Sequence, residues 1–166
     1  NMIHEYPLDG KPPMMTHVFS SGNGNRVTAA KGAPEAILSC CEMEDRTIEK
    51  ILSAADDLAK EGYRILAVGE SDYNGDKYPK KQQALKFRYL GLLAFYDPPK
   101  PNIKNVFDAF YRAGIKLKII TGDNAITTMA IARQAGFKNA GAGINATDLK
   151  NLTDTELEET AIKESI

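Results

Sequence analysis

The segment Thr121-Gly122-Asp123 has the residue types best suited to chemistry in this sequence. It follows an apolar stretch of strand length and precedes a predicted helix. In open α/β sheets ligands bind at this end of the strands, and the first backbone amides of the helix attract phosphate. Gly122 would let the backbone come close to a ligand. A plain helix cap by Asp123 or Asn124 explains the same residues, and the two interpretations are compatible.

Two further segments place a cation where an anionic ligand could reach it. Lys31 stands at the end of a predicted strand, before Gly32 and a helix start at Pro34, so its ammonium could contact a phosphate. Tyr6 and Lys11 flank a predicted polar turn, and an aromatic ring beside a cation suits a purine with a phosphate tail. An ordinary surface lysine and simple packing of the ring are the alternatives.

Arg64 is another candidate, because it follows a helix-ending glycine and starts a predicted strand. A guanidinium there suits a bidentate phosphate contact, although a surface ion pair is the commoner outcome. His4 and His17 have no partner pattern, and Cys40 and Cys41 are adjacent, so no metal site is predicted. The sequence also has no paired carboxylates and no Ser/His/Asp or Cys/His set.

The length, net charge and apolar content of the chain limit the classes of protein to which it can belong. The chain has 166 residues and a formal net charge of −1, which argues against a nucleic-acid partner. It contains no apolar run of about 18 residues, so no membrane-spanning segment is predicted. We therefore expect an ordinary globular chain with one or two small domains.

Apolar patterning predicts strands and one long helix in the first region of the chain. Residues 14–20 and 26–31 have the pattern of a hairpin with a glycine-rich turn between its strands. Residues 46–61 carry the apolar stripe of a helix, and residues 63–69 and 87–96 predict strands.

A proline-rich segment, Asp97 to Pro101, marks the predicted domain boundary, because clustered prolines cannot continue a central strand or a helix. After it the pattern predicts a helix at 102–113, a strand at 115–121 and a helix at 124–135. This alternation is typical of a parallel α/β sheet. Thr153 begins a predicted capping box for a last helix.

Taken together, these segments resemble P-type cation-transporting ATPases of the calcium-pump-like class. Any one of them alone is unspecific, whereas their occurrence in the family's order is highly specific. The segments that carry the resemblance are Glu5–Lys11 with Met14–Thr16, Lys31–Glu35, Gly62–Ala67, Asp97–Lys100 and Thr121–Asn124.

The resemblance implies a nucleotide site in the first region. Tyr6 would stack on adenine, at a position where the family more often has phenylalanine. Lys11, Lys31 and Gly32 would line the pocket. Arg64 would approach the ribose or the phosphates of the nucleotide.

The resemblance also implies a phosphorylation site and a hinge in the second region. Thr121–Asp123 would meet the transferred phosphoryl group and its magnesium surroundings. Asp97, Pro98 and Pro99 would set the hinge between the two regions.

The implied architecture is a partial antiparallel-sheet nucleotide-binding domain at 1–96, followed by a partial haloacid-dehalogenase-like parallel α/β domain at 97–166. The family's Asp-Lys-Thr-Gly-Thr segment, whose aspartate accepts the phosphoryl group, does not occur in this sequence. We therefore expect a soluble piece of a longer pump from the cytoplasmic face of a membrane, inactive by itself.

In the intact protein the implied function is the coupling of ATP hydrolysis to cation transport. Calcium is the expected ion, ATP and magnesium are the expected cofactors, and the partners are the remaining domains and membrane helices. Because residues 115–121 would lack a neighbouring strand, we also expect dimerisation or partial disorder of the second region.

Two other functional classes fit parts of the sequence. A stand-alone haloacid-dehalogenase-like phosphatase or phosphotransferase shares the strand that leads to Thr121. It needs a nucleophilic Asp-x-Asp at a strand end, and the sequence has none there. A non-catalytic nucleotide-binding or regulatory module requires only the first region.

Overall fold

A five-stranded antiparallel sheet forms the framework of the first half of the chain, and each strand lies beside the next one in sequence. The computed structural model describes residues 1–20, 25–75, 77–141, 143–144 and 146–163. The strands are β1 (Met2–Asp9), β2 (Met14–Ser20), β3 (Arg26–Gly32), β4 (Arg64–Ser71) and β5 (Arg88–Phe95).

The chain separates into two compact units. The first comprises Asn1–Leu58 and Ile65–Phe95, and the second comprises Ala59–Arg64 and Tyr96–Ile166. The helices are α1 (Pro34–Leu38), α2 (Asp45–Lys60), α3 (Ile103–Arg112), α4 (Ala125–Gln134), α5 (Ala146–Leu149) and α6 (Asp154–Lys163), and a 3-10 turn spans Gln82–Ala84. Over the described ranges, no helix has both the length and the apolar character needed to cross a bilayer.

The sheet of the first unit has one buried face and one partly exposed face. On the buried face Met14 lies opposite Gly32 and Thr16 lies opposite Ala30, and all four residues are buried. Ile37 of α1 packs into the same core and is fully buried. The intervening residues of β2 and β3 point to the other face, which stays partly exposed, as is common for antiparallel sheets.

Most elements predicted for the first region are confirmed. The hairpin is formed by β2 and β3 in antiparallel register, although residues 21–24 of its turn lie outside the described residues. The predicted helix at 46–61 is α2, and the predicted strands at 63–69 and 87–96 are β4 and β5.

Strand β1 replaces most of the polar turn expected between Tyr6 and Lys11. Pro7 lies within β1, which is possible because β1 is an edge strand and an edge tolerates a missing N–H donor. The turn itself is confined to residues 10–13, where Gly10 adopts a φ of +96°. The alternation of apolar and polar residues in β1 is too weak to predict a strand from the sequence.

Gly32 is required by the close approach of β3 to the β1–β2 turn. A Cβ at this position would lie 2.6 Å from the Pro13 carbonyl oxygen and 2.7 Å from the Met14 Cα. The next residue, Ala33, donates its backbone N–H to the same Pro13 oxygen at 3.0 Å. The end of β3, and with it Lys31, is therefore held against the turn.

The second unit is built from helices that pack around a small core. Ala132 and Phe137 are buried there, and Phe107 of α3 and Ile119 pack against them. The rings of Phe107 and Phe137 meet edge to face, with centroids 5.6 Å apart. The predicted helices at 102–113 and 124–135 are confirmed as α3 and α4.

The predicted strand at 115–121 is wrong. These residues have no regular secondary structure, and Ile120 is 98% exposed. A strand is stable only when its backbone groups pair with a neighbour, and residues 96–163, as far as they are described, contain no other strand. The parallel sheet expected for the second region is therefore not formed here, and the expected dimerisation stays a prediction.

The predicted capping box before the last helix is confirmed. The Thr153 backbone N–H and hydroxyl donate to Oε2 of Glu156 at 2.8 and 2.7 Å, and the Glu156 N–H donates to the Thr153 hydroxyl oxygen at 3.4 Å. These hydrogen bonds satisfy donors that the first turn of α6 leaves unpaired.

We predict that Gly32→Ala destabilises the first unit by about 1–3 kcal/mol, because the new methyl group would collide with backbone atoms. Native-state hydrogen exchange of the β2 and β3 amides measures this effect. Gly122→Ala is the matched control, since a Cβ there would meet no atom within 4 Å. Equal protection in both variants would contradict the prediction.

We predict that α6 loses helicity in acid through Glu156. Hydrogen bonds from the Thr153 backbone and hydroxyl hold the pKa of the Glu156 carboxyl below its ordinary value. The resulting stabilisation is present above the unfolded pKa of about 4.3 and is lost as the pH falls through the lower folded value. Thr153→Val should raise the Glu156 pKa in an NMR titration, whereas Glu159→Gln, the control, should leave it unchanged. An unaltered Glu156 pKa in Thr153→Val would show that the Thr153 hydroxyl does not hold the carboxylate, because this variant keeps the backbone N–H donor.

Candidate functional site

A β-bulge in β1 brings two residues onto the partly exposed face of the sheet. Tyr6 lies opposite Thr16 and Asp9 lies opposite Met14, so β1 carries one extra residue in this interval. Pro7 and Leu8 therefore both stand opposite Met15. Leu8 is 65% exposed. From this register we infer that Leu8 lies beside Met15 on this face.

Lys31 continues this row on the next strand. It lies opposite Met15 of β2 on one side and Val68 of β4 on the other, and it is exposed. We call Leu8, Met15, Lys31 and Val68 the open-face strip. Among the described residues no carboxylate forms an ion pair with Lys31. The strip therefore combines an apolar platform with one cation that is available to an anionic ligand.

The acidic residues on the same face already have cationic or basic neighbours. Glu5 of β1 lies 3.5 Å from the imidazole of His17. Glu70 of β4 accepts a hydrogen bond from Arg88 of β5 at 2.7 Å. Since these carboxylates are engaged, they oppose an anion beside Lys31 less than free carboxylates would.

Tyr6 does not lie on the open-face strip. Its cross-strand partner Thr16 is adjacent in sequence to Met15, so the Tyr6 ring points to the buried face. The ring is 8% exposed, and its hydroxyl donates to the Pro79 carbonyl at 2.6 Å. Burial, with smaller effects of Tyr73 and Tyr78, raises the pKa of this hydroxyl. The ring therefore belongs to the hydrophobic core of the first unit, and its expected stacking on adenine stays a prediction.

Apart from Lys31, the open-face strip does not include the other residues predicted to line the nucleotide site. Lys11 is exposed in the turn between β1 and β2, and Gly32 lies beside Lys31 but faces the core. Arg64 belongs to the second unit. The structure therefore joins Lys31 to Leu8 and Met15, not to Tyr6.

Thr121–Asp123 form a short exposed loop at the start of α4. The backbone N–H of Asp123 donates to the Thr121 hydroxyl oxygen at 3.0 Å. Asn124 is the N-cap, and its side-chain oxygen accepts from the Ile126 N–H at 2.8 Å. The helix-cap interpretation is therefore confirmed for Asn124, while the side chains of Thr121 and Asp123 remain at the surface.

Arg64 and Asp123 form an ion pair inside the second unit. Nη2 of Arg64 donates to Oδ1 of Asp123 at 2.7 Å, and the two side chains are 60% and 42% exposed. The pair joins the residue that begins β4 to the loop before α4. Both members were expected at ligand sites, and here each neutralises the other.

The predicted hinge lies next to this loop. Residues 96–100 have no regular secondary structure, and Asp97 and Pro98 are exposed. Pro99 and Lys100 line a cavity of about 310 Å³ together with Thr121 and Asp123. Apolar residues of α3 and α4 form much of its remaining wall. The second unit thus brings the hinge and the Thr121–Asp123 loop to one hollow.

A larger hollow of about 780 Å³ lies in the first unit, between the end of β4 and the start of β5. Two of its charged groups, Glu42 and Lys86, form an ion pair with each other. None of the sequence-predicted site residues lines this hollow. Within the described residues, no group of three His, Cys, Asp or Glu side chains is arranged to hold a metal ion.

Met15 and Leu8 are the residues of the candidate site that sequence reasoning missed. For Met15 a signal existed: if Ser20 pairs with Arg26 at the ends of the hairpin, counting outwards places Met15 opposite Lys31. For Leu8 there was none, because only the bulge turns it towards this face.

Comparison with known proteins agrees with these motifs. Residues 1–102 match the family model described as P-type ATPase, cytoplasmic domain N. A sodium/potassium exporting P-type ATPase of Schizosaccharomyces pombe is 31% identical over 81% of this chain and 14% of its own length. Calcium-transporting ATPase 1 of Bacillus cereus is 30% identical over 93% of this chain and 19% of its own.

A third relative has a different named substrate. The magnesium-transporting ATPase, P-type 1, of Escherichia coli is 28% identical over 93% of this chain and 18% of its own length. The chain spans less than one fifth of the length of these relatives. Because the family model covers more than half of the sequence, the chain belongs to the P-type ATPases and carries their cytoplasmic domain N in residues 1–102.

Proposed function

We propose that this chain is the ATP-binding part of a pump that couples ATP hydrolysis to cation transport. The observation that carries the proposal is Lys31, an exposed cation without an ion-pair partner in the described residues, set between Met15 and Val68. An apolar platform with one cation suits an aromatic base attached to phosphates. Membership of the P-type ATPases supports ATP as the nucleotide.

In this proposal the adenine rests on Leu8 and Met15. Lys31 reaches the phosphates or an acceptor atom of the ring, and Lys11 adds positive charge from the neighbouring turn. Tyr6 supports the site from the buried side of β1. Gly32 contributes by keeping the end of β3 close to the turn.

The second unit is proposed to be part of a haloacid-dehalogenase-like phosphorylation domain, with the domains divided at 96/97. Thr121, Gly122 and Asp123 would face the transferred phosphoryl group, and Asp97, Pro98 and Pro99 would form the hinge. Because the Asp-Lys-Thr-Gly-Thr segment does not occur in the sequence, the chain lacks that nucleophile. We expect the chain by itself to bind ATP weakly and not to hydrolyse it.

The described residues do not form a magnesium site by themselves. Asp123 is engaged by Arg64, and the described residues offer no cluster of three ligands. Magnesium is commonly held by one or two carboxylates together with nucleotide phosphates.

The transported ion is a different question from the magnesium cofactor. The relatives are named for sodium/potassium, calcium and magnesium, and calcium is our proposal from the motifs alone.

We predict that Lys31→Met weakens ATP binding by about tenfold or more, because a charge-assisted contact worth about 1.5–3 kcal/mol is lost. Calorimetry with ATP, ADP and AMP measures the affinity of each variant. Lys50→Met on the exposed surface of α2 is the control and should bind as the unsubstituted chain does.

Two outcomes would reject the proposed site. The first is equal ATP affinity in Lys31→Met and the unsubstituted chain. The second is a preference for sugar phosphates, with their hydrolysis, which would favour the stand-alone phosphatase. Detectable ATP hydrolysis that disappears in Asp123→Asn would contradict the expectation that the chain is inactive.

We predict that the Arg64–Asp123 ion pair contributes less than about 1 kcal/mol to stability, because both side chains are substantially exposed. A double-mutant cycle with Arg64→Met and Asp123→Asn, measured by urea unfolding, gives the coupling energy. A small coupling leaves Asp123 free for phosphoryl chemistry at little cost. A coupling above about 2 kcal/mol would instead assign the pair a structural role.

A further inference from the structure

We propose that Gln82 is a positioning residue that holds Leu8 on the open-face strip and so completes the nucleotide site. The inference rests on the proposed ATP binding for its functional consequence, but its structural part stands independently. Gln82 lies in the 3-10 turn between β4 and β5, far from β1 in sequence, and it is 3% exposed.

The Gln82 side chain bridges β1 and β2 where the bulge occurs. Its Nε2 donates to the Met14 carbonyl at 2.9 Å and to the Pro7 carbonyl at 3.3 Å. Its Oε1 accepts from the Thr16 hydroxyl at 2.9 Å. A buried amide with both ends hydrogen-bonded fixes the groups around it, because any shift would leave polar atoms unpaired.

These contacts explain how β1 accommodates its extra residue. A bulge disrupts the strand ladder locally, and buried backbone carbonyls there need another donor. Pro7, which has no N–H, lies in the bulge, and its carbonyl is one of the two that Gln82 binds. The side chain of Gln82 therefore supplies the donor that a regular strand pairing would otherwise provide.

The bulge decides which way Leu8 points. Without the extra residue, a regular ladder from the Tyr6–Thr16 pair would set Leu8 opposite Met14 and turn it to the buried face. Met14 is fully buried, so that face has little room for a second large side chain. Loss of the Gln82 contacts would make this end of β1 either slip or detach, and in both cases Leu8 leaves its place opposite Met15.

Gln82→Met tests the inference, since methionine has similar length but cannot make the three hydrogen bonds. In the unsubstituted 166-residue chain we expect a nuclear Overhauser contact between the methyl groups of Leu8 and Met15. This contact should disappear in Gln82→Met, and ATP affinity should fall by about tenfold, as for loss of one well-packed apolar contact. Gln83→Met is the matched control, because Gln83 is adjacent, of the same type and exposed.

Repeating the measurement in chains that already carry Leu8→Ala distinguishes positioning of Leu8 by Gln82 from a general loss of stability. If Gln82 acts through Leu8, Gln82→Met should change ATP affinity by less than about twofold when Leu8 is already alanine. The same tenfold loss in both backgrounds, or a retained Leu8–Met15 contact in Gln82→Met, would overturn the inference. If the unsubstituted chain does not bind ATP, the proposed function fails, whereas the methyl contact still decides for or against the role of Gln82.

Discussion

The antiparallel register of β2 against β3 is the constraint on which the first unit depends. It sets Met14 opposite Gly32 in the core, and the period of two along each strand then sends Met15 and Lys31 to the other face. A shift of one residue would bury Lys31 and expose Met14, at the cost of a buried charge and a lost core contact. Gly32 protects this register, because only a residue without a side chain lets β3 end so close to Pro13.

In the first unit the side chain of Gln82 adds hydrogen bonds between β1 and β2 that are not part of the strand ladder. Gln82 binds the two strands that precede it by more than 60 residues, and Tyr6 adds a hydrogen bond to Pro79 from the same buried side. Hydrogen bonds on the buried face of the sheet therefore help to fix the positions of the residues on its exposed face. An aromatic residue at position 6 is important for this reason, although its ring lies on the buried face and not on the open-face strip.

The second unit combines local capping hydrogen bonds with contacts between segments distant in sequence, such as the hydrogen bonds from Thr127 to Tyr63 and from Gln134 to Glu61. The Asn124 cap and the Thr153 capping box form over short stretches of chain, whereas Phe107 of α3 contacts Phe137, which follows α4. An apolar segment between two helices acquires strand structure only when another strand supplies hydrogen bonds. Residues 115–121 have no neighbouring strand in the described part of the chain. The Arg64–Asp123 pair lies at the surface of this unit and adds only an exposed ion pair.

Features of the fold that follow from short-range rules could be predicted from the sequence. The helices α2, α3 and α4, the hairpin, the glycine helix ends and the Thr153 box follow from apolar periodicity and capping chemistry, and the ordered motifs were sufficient to recognise the P-type ATPases. Tertiary structure alone decided the strand β1, the burial of Tyr6, the outward turn of Leu8 and the lack of a strand at 115–121. Each of these features depends on which backbone groups form hydrogen bonds with residues far away in sequence. A bulge that is held by hydrogen bonds from a distant glutamine cannot be recognised from the local sequence.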